Sequence, residues 1–400
     1  MKKRYESVTC GGMDVHYKSS QVTFRDAGGA VVTRERLDHT DRAAMRAQVD
    51  RWPKGIPMVL EASFGWGWVS DEVAQAGLKP QLSNCYKVEQ MRKARGSVKT
   101  NKKDADLLSM LPTEPTTWWQ VWRAPAEVRD RREWMRYRAD VVKVQTATTG
   151  RVHAVFHRHG IFFTGGTDLF GGVGRKFLAE LCRDGRHAGG VLPAGALAAL
   201  RGQVALVTHL RASLAEAAKR LKAMLERDPL TKRLDGIPGF GLILSHTVQS
   251  EIGEIGRFRS HRALASYACL APRADETGEA DPTRAPLGRH LGDRGNRTLK
   301  WAFIEAAHGA VRHGGRWRAM FDRATEGGTK NRGRGYIQVA RELVKMVYIV
   351  WSRNVAYMES PPARPGTRSV RPASKPLPRG KNKKHSRPGT GQPLHPMVQA

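Results

Sequence analysis

Short apolar stretches alternate with polar turns along the first hundred residues. Three strand-like stretches lie between residues 13 and 37, separated by turn residues such as the DAGG at 26–29. Residues 39–52 (HTDRAAMRAQVDRW) have helical spacing, with Thr40 or Asp41 as the cap. A strand, a helix, a strand and a helix then follow, at PMVLEAS, GWVSDEVAQAG, KPQLSNCY and NKKDADLLSML. This order predicts a mixed α/β sheet domain over residues 1–112.

The rest of the chain is predicted to be mainly helical. Residues 113–228 form a basic helical linker, with one long helix at 195–227 in which Leu200, Val207, Leu214 and Leu221 fall seven apart. That spacing fits a coiled coil between chains and equally a helix packed within its own domain. Residues 229–357 predict a second, mostly helical domain, and residues 358–400 a disordered, basic, Pro-rich tail that binds nucleic acid weakly.

The formal net charge of +31 over 400 residues predicts a polyanionic partner. An anionic membrane is the competing partner, but no run of about 18 apolar residues is present. No secretory signal is visible, and the four cysteines lie far apart without a CxxC pair. We therefore expect reduced thiols and a cytoplasmic, prokaryotic protein associated with the nucleoid, with no membrane partner.

Three carboxylates stand at positions where a carboxylate is costly unless it has a partner. Asp14 lies within an apolar strand, Glu61 ends the strand MVLE, and Asp104 begins a helix. If the two strands are neighbours, the three groups converge at one edge of the sheet as hard oxygen ligands of the kind Mg²⁺ prefers. Each of them, taken singly, is more often a surface charge, and it is their combined placement that favours a metal site. Asp106 lies about 200° around the helix from Asp104 and is interpreted as a surface charge.

The stretches GMDVHYK, MVLEASFGWGWVSDEVAQAG and VKTNKKDADLLSML resemble the nuclease half of DEDD insertion-sequence transposases. The resemblance implies an α/β RNase H-like (RuvC-like) fold and two Mg²⁺ ions, replaceable by Mn²⁺, on Asp14, Glu61 and Asp104. It also implies a guide (bridge) RNA, double-stranded DNA as element ends and target, and a homo-oligomer between dimer and tetramer. The family's helix motif has an acid where this chain has Asn101 in KTNKKDA, which makes Asn101 a weaker fourth ligand.

The stretches IPGFG, EIGEIGRFRSHRALASYACLAPRADETG and GRHLGDRGNRTLKWAFIEAA resemble the C-terminal domain of the same family. In that family a serine attacks DNA, and the matching ETG places Thr277 there, with Ser260 and Ser266 as alternatives. Thr277 is also compatible with a simple turn residue.

The PGFG turn is typical of a helix-hairpin-helix motif, which binds phosphate through backbone amides. An ordinary helical turn is the alternative. The positions expected to contact nucleic acid are Lys99, Lys102, Lys103, Arg136, Arg138, Arg151, Gly239, Gly241, Arg289, Arg294, Asn296, Arg297 and Lys300.

The sequence thus predicts an enzyme, a DNA transposase or recombinase that cleaves and exchanges the strands of an insertion sequence with the help of a metal. Two alternatives stay open. One is a structure-specific endonuclease of the Holliday-junction type, and the other is a decayed transposase that only binds nucleic acid.

Overall fold

A computed structural model of the chain describes residues 2–96, 100–114, 116–272, 291–292 and 295–359. Four predicted site residues and the predicted tail from residue 360 lie outside the described residues; the four are Lys99, Thr277, Arg289 and Arg294.

The N-terminal region is built on one six-stranded sheet. Its strands are β1 (Val8–Val15), β2 (Ser19–Asp26), β3 (Val31–Asp38), β4 (Pro57–Glu61), β5 (Lys79–Ser83) and β6 (Gln120–Val121). Their order across the sheet is β3-β2-β1-β4-β5-β6. The strands β1, β4 and β5 run parallel, while β2, β3 and β6 pair antiparallel with their neighbours. The predicted mixed α/β sheet is therefore confirmed.

Four helices accompany this sheet: α1 (Arg42–Val49), α2 (Trp66–Gln75), α3 (Cys85–Ala94) and α4 (Asn101–Met110). Asp41 caps α1 by accepting hydrogen bonds from the amides of Ala43 and Ala44. One face of the sheet buries apolar side chains such as Phe24, Leu37 and Trp52. A smaller cluster, formed by Val59, Val88, Leu107, Leu108, Leu111 and Trp119, packs α3 and α4 together with β4.

A glycine allows α4 to cross β1 at very short range. A Cβ atom added at Gly12 would lie 2.1 Å from the backbone nitrogen of Ser109, so any larger residue would push the helix away. This contact sets the distance between β1 and the C-terminal turn of α4.

Long helices follow the sheet. They are α5 (Ala126–His159), α6 (Gly172–Asp184) and α7 (Ala194–Arg227), with the short strands β7 (Arg186–His187) and β8 (Gly190–Val191) before α7. The helix α7 packs along α5 of the same chain. Leu200, Val207 and Leu221 of its seven-residue pattern are buried by contacts within the chain. Packing within the chain, one of the two predicted alternatives, therefore accounts for these three positions.

The C-terminal helices enclose a separate apolar core. They are α8 (Pro229–Asp235), α9 (Leu242–Ile252), α10 (His261–Tyr267), α11 (Arg297–His313), α12 (Gly315–Thr325) and α13 (Arg332–Ser352). Phe303, Trp317 and Leu343 are fully buried in that core. A mostly helical second half is therefore confirmed.

Two further expectations concern the whole chain. Within the described part, none of the helices combines the length and the apolar composition that a membrane crossing requires. All four cysteines fall in described segments and are free thiols.

Candidate functional site

Four predicted ligand residues surround one cavity of about 880 Å³. We call it the carboxylate cavity and define it by Asp14, Glu61, Asn101 and Asp104. Asp14 and Glu61 stand at the carboxyl ends of β1 and β4, whose last aligned pair is Met13 and Leu60. The first turns of α4 supply Asn101 and Asp104. The structure therefore brings together residues that are up to 90 positions apart in sequence.

Asp14 is the most enclosed of these groups, with only 6% of its surface exposed. Burial raises the pKa of its carboxyl, and the nearby charges of Asp104 and Glu61 raise it further, while His16 opposes them. His16 is 2.9 Å from Asp14, measured from Nε2 to Oδ2. Sequence reasoning missed His16, although a spacing of two residues at a strand end places both side chains on one face.

Glu61 also has a partner that was not predicted. The thiol of Cys85 interacts with Glu61 by a hydrogen bond; burial raises the pKa of that thiol to about 11, with the charge and the hydrogen bond of Glu61 adding to it. Cys85 begins α3 directly after β5, the parallel neighbour of β4. The rule that parallel strands end at one edge of a sheet would have found it.

The helix α4 separates its two aspartates in space. Asp104 faces the carboxylate cavity, whereas Asp106 accepts hydrogen bonds from Thr23 at 2.8 Å and from Arg34 at 2.8 and 3.0 Å. Burial alone would raise the pKa of Asp106, but these hydrogen bonds lower it below its ordinary value. The interpretation of Asp106 as a surface charge is wrong, because it fastens α4 to the strands β2 and β3.

Lys102 and Lys103 are exposed on the first turn of α4, next to the cavity. The amide of Lys103 is capped by the hydroxyl of Thr100. This placement suits the predicted contact with a phosphate backbone.

The chemistry of the cavity fits a hard divalent cation, since its donors are carboxylate and amide oxygens. The spacing of the donors is wider than ligation requires. Within the described part of the chain, no three His, Cys, Asp or Glu side chains are gathered closely enough to hold a metal ion. Binding would therefore require the carboxylates to approach one another.

A buried ion-pair network joins α5 to the C-terminal helices. Glu251 has a side chain only 1% exposed, and it accepts hydrogen bonds from Arg136 at 2.9 and 3.0 Å and from Asn296 at 2.7 Å. Asn296 also caps α11 through the amide of Leu299. Arg136 and Asn296, both predicted to contact nucleic acid, are thus engaged in holding α5, α9 and α11 together.

Other predicted contact residues lie on the surface. Arg151 and Arg297 are exposed, Lys300 is half-buried, and Arg138 lines a second cavity of about 380 Å³ beside Trp301. Burial lowers the pKa of the Arg138 guanidinium. These basic groups lie on α5 and α11.

The PGFG turn joins α8 to α9. Gly239 has a φ of +87°, and a Cβ atom added there would lie 2.0 Å from the carbonyl oxygen of Ala306 in α11. Its smallness is needed for packing, while Gly241 has open space around it.

Of the two alternatives to Thr277, Ser260 caps α10 by accepting a hydrogen bond from the amide of Ala263. Ser266 is exposed on the same helix.

Comparison with known proteins shows what this chain is similar to. Residues 231–322, which run from α8 to α12, match the Transposase IS116/IS110/IS902 family. A probable family 20 transposase of Pseudomonas aeruginosa is 25% identical over 309 residues, which cover 75% of this chain and 83% of that protein. The chain is thus similar to IS110-type insertion-sequence transposases.

Two other relatives match over shorter segments. An uncharacterized 43.6 kDa protein of insertion element IS110 from Streptomyces coelicolor is 27% identical over 36% of this chain and 34% of its own length. The transposase for insertion sequence element IS1111A of Coxiella burnetii is 30% identical over 24% of this chain and 25% of its own length. The chain thus matches about a third of the first of these relatives and a quarter of the second. The predicted resemblance to insertion-sequence transposases is confirmed.

Proposed function

We propose that this protein is a DNA transposase that cleaves and exchanges the strands of an insertion sequence, with Mg²⁺ bound at the carboxylate cavity. The observation that carries the proposal is the meeting of Asp14, Glu61 and Asp104 at one edge of a sheet, in a very basic chain related to transposases. The RNase H-like classification of that sheet is part of the proposal, supported by three parallel strands flanked by an antiparallel pair.

Each residue of the cavity has a role in this proposal. Asp14, Glu61 and Asp104 would hold two Mg²⁺ ions, or Mn²⁺, with Asn101 as a neutral fourth ligand. Bound divalent ions polarise a phosphate and stabilise the leaving oxygen. His16 orients the carboxylate of Asp14, the Cys85 thiol does the same for Glu61, and Lys102 and Lys103 hold the phosphate backbone.

The remaining partners are proposals that the family relationship supports. They are double-stranded DNA as element ends and target, a guide RNA, and a second copy of the chain in a homo-oligomer. Thr277 is proposed as the nucleophile that attacks DNA. Arg138, Arg151, Arg297 and Lys300 are proposed to bind the DNA or RNA backbone.

The experiment is strand exchange by the purified full chain on a plasmid carrying the element ends, with and without Mg²⁺ and the transcript of the flanking DNA. Wild-type protein is expected to form recombined junctions only with Mg²⁺, and Asp14→Asn to form none. Activity of Thr277→Ala equal to wild type would remove Thr277 as nucleophile while leaving the cavity in place.

One observation favours a second candidate, a protein that binds nucleic acid without cutting it. Asn101 replaces an acid, and the described carboxylates are too widely spaced to form a metal site. DNA binding by the wild type without any Mg²⁺-dependent product would support this candidate over the first.

A further inference from the structure

Two aromatic side chains at the carboxylate cavity are almost fully exposed to solvent. Phe64 is 100% exposed and Tyr17 is 91% exposed, and they are the two most exposed aromatic side chains in the described part of the chain. Both line the cavity that holds Asp14, Glu61 and Asp104. Single exposed apolar residues are ordinary, but two of the largest at one cavity mark a binding surface.

Their positions follow from the sheet. Tyr17 comes three residues after Asp14, and Phe64 comes three residues after Glu61. Because β1 and β4 are parallel neighbours in register, both rings leave the same edge of the sheet, one beyond each carboxylate.

The turns that carry these rings are braced. The amide of His16 donates to the carbonyl of Ser19 at 3.1 Å across the turn of Tyr17. The amide of Ser63 donates to the carbonyl of Glu61 at 2.7 Å, and Gly65 provides the left-handed φ of +86° that directly follows Phe64. Rings fixed on short turns lose little conformational freedom when they bind a flat ligand.

The third aromatic residue of the cavity already has partners within the chain. Trp68 lies under the guanidinium of Arg42 at 4.1 Å and contacts the ring of His39 at 4.9 Å. Tyr17 and Phe64 are therefore the rings of this cavity that are available to a partner.

The chemistry of the cavity identifies that partner. In the proposed function a divalent ion joins a phosphate to the carboxylates. That phosphate would bring the bases of its two nucleotides to the cavity rim, where Lys18 adds a positive charge. A base stacks on an aromatic ring without regard to sequence, but only when it is not already stacked in a duplex. We propose that Tyr17 and Phe64 stack on unpaired bases flanking the phosphate in the carboxylate cavity, so that the protein works on a locally opened strand. This inference rests on the proposed function, in which DNA is the partner and a divalent ion is bound at the carboxylate cavity.

The test compares two polymers with the same backbone. Binding of a fluorescent oligothymidylate, and of an abasic oligodeoxyribose phosphate of equal length, is measured by anisotropy in Ca²⁺ for wild type, Tyr17→Ala and Phe64→Ala. Each alanine variant is expected to bind oligothymidylate about 5- to 150-fold more weakly, the range for one lost base–aromatic stack. On the abasic polymer the same variants should match wild type, because the backbone contacts are untouched.

Controls separate stacking from folding and from the proposed function. Tyr17→Phe and Phe64→Tyr should retain wild-type affinity, and so should Phe162→Ala, which removes another ring, 82% exposed, outside this cavity. Equal losses on both polymers, or none on either, would overturn the stacking proposal while DNA binding by the wild type still stands. A wild type that binds neither DNA nor RNA would remove the proposed function itself.

The other occupant to exclude is a second copy of this chain. Sedimentation of wild type and of the variant carrying both alanine substitutions, without DNA, is expected to give the same mass. A smaller assembly for the double variant would assign the rings to a protein interface and overturn the proposal.

Discussion

Removing the carboxylate of Glu251 should loosen the junction between the long basic helix α5 and the C-terminal helices. Glu251→Ala deletes three hydrogen bonds, two from Arg136 and one from Asn296. It also leaves Arg132 without its carboxylate, and the side chain of Arg132 is only 17% exposed. Breaking a buried ion pair from one side costs about 3–5 kcal/mol. Arg136 is more than half exposed and can regain water, so the expected loss is near the lower limit, about 3 kcal/mol.

Hydrogen–deuterium exchange measured by mass spectrometry suits this change, because the chain has several separate apolar cores and exchange reports the stability of each region by itself. A loss of about 3 kcal/mol lowers the protection of α9 and the first turn of α11 by about two orders of magnitude. The amides of β1 and β4 should keep their protection, because they belong to the sheet.

Glu216→Ala is the matched control. Glu216 pairs with Arg220 at 3.1 Å on the surface of α7, where both side chains are more than half exposed. Its loss should change local stability by about 0.5 kcal/mol or less. If Glu251→Ala and Glu216→Ala give the same small change, the buried network does not hold these helices together and the reasoning is refuted.

Three further changes test other parts of the structure. Gly239→Ala should lower the free energy of unfolding by about 3 kcal/mol or more, because the added Cβ atom would lie 2.0 Å from a carbonyl oxygen and the backbone there is left-handed. Gly241→Ala should be tolerated, and urea titrations of both variants check this. Asn101→Asp adds a charge to the carboxylate cavity and should tighten Mn²⁺ binding about tenfold in a calorimetric titration, and unchanged binding would count against Asn101 as a ligand position. Asp106→Asn should cost about 1–2 kcal/mol at neutral pH. The pKa of Asp106 in the folded protein lies below its ordinary value of 3.8. In acid unfolding curves the extra stability of the wild type should therefore be present above pH 3.8 and be lost as the pH falls through the folded pKa.

The strands and the cavity could be predicted because short segments of the sequence carry the signals for them. Apolar runs that end in a carboxylate mark the carboxyl ends of strands, and parallel strands place those ends together. Glu61 follows from this rule, and His16 and Cys85 could have been found by it. Asp14 and Asp104 follow from a different argument, the cost of a carboxylate without a partner within a strand or at the start of a helix. The sequence does not set the distances between the carboxylates, which depend on the crossing of α4 over β1.

The helix α3 was missed for a physical reason. Val88 is its only buried side chain, so the helix has a narrow apolar face and little periodicity in its sequence. The pairing of Arg136 with Glu251 was missed because it joins residues 115 positions apart, and a basic residue on a basic helix is first interpreted as a contact to nucleic acid. Likewise, the glycines of PGFG suit both phosphate binding and close packing, and only the neighbouring helix α11 shows that Gly239 is needed for packing.

The most direct test of the central claim is Mg²⁺-dependent cleavage of element-end DNA by two variants, each with one aspartate of the N-terminal α/β region replaced by asparagine. Asp14→Asn removes a carboxylate of the cavity. Asp106→Asn makes the same chemical change at a carboxylate outside the cavity, which accepts a hydrogen bond from Arg34. The account predicts Mg²⁺-dependent product for wild type and Asp106→Asn, and none for Asp14→Asn. Product from Asp14→Asn at the wild-type level would contradict it.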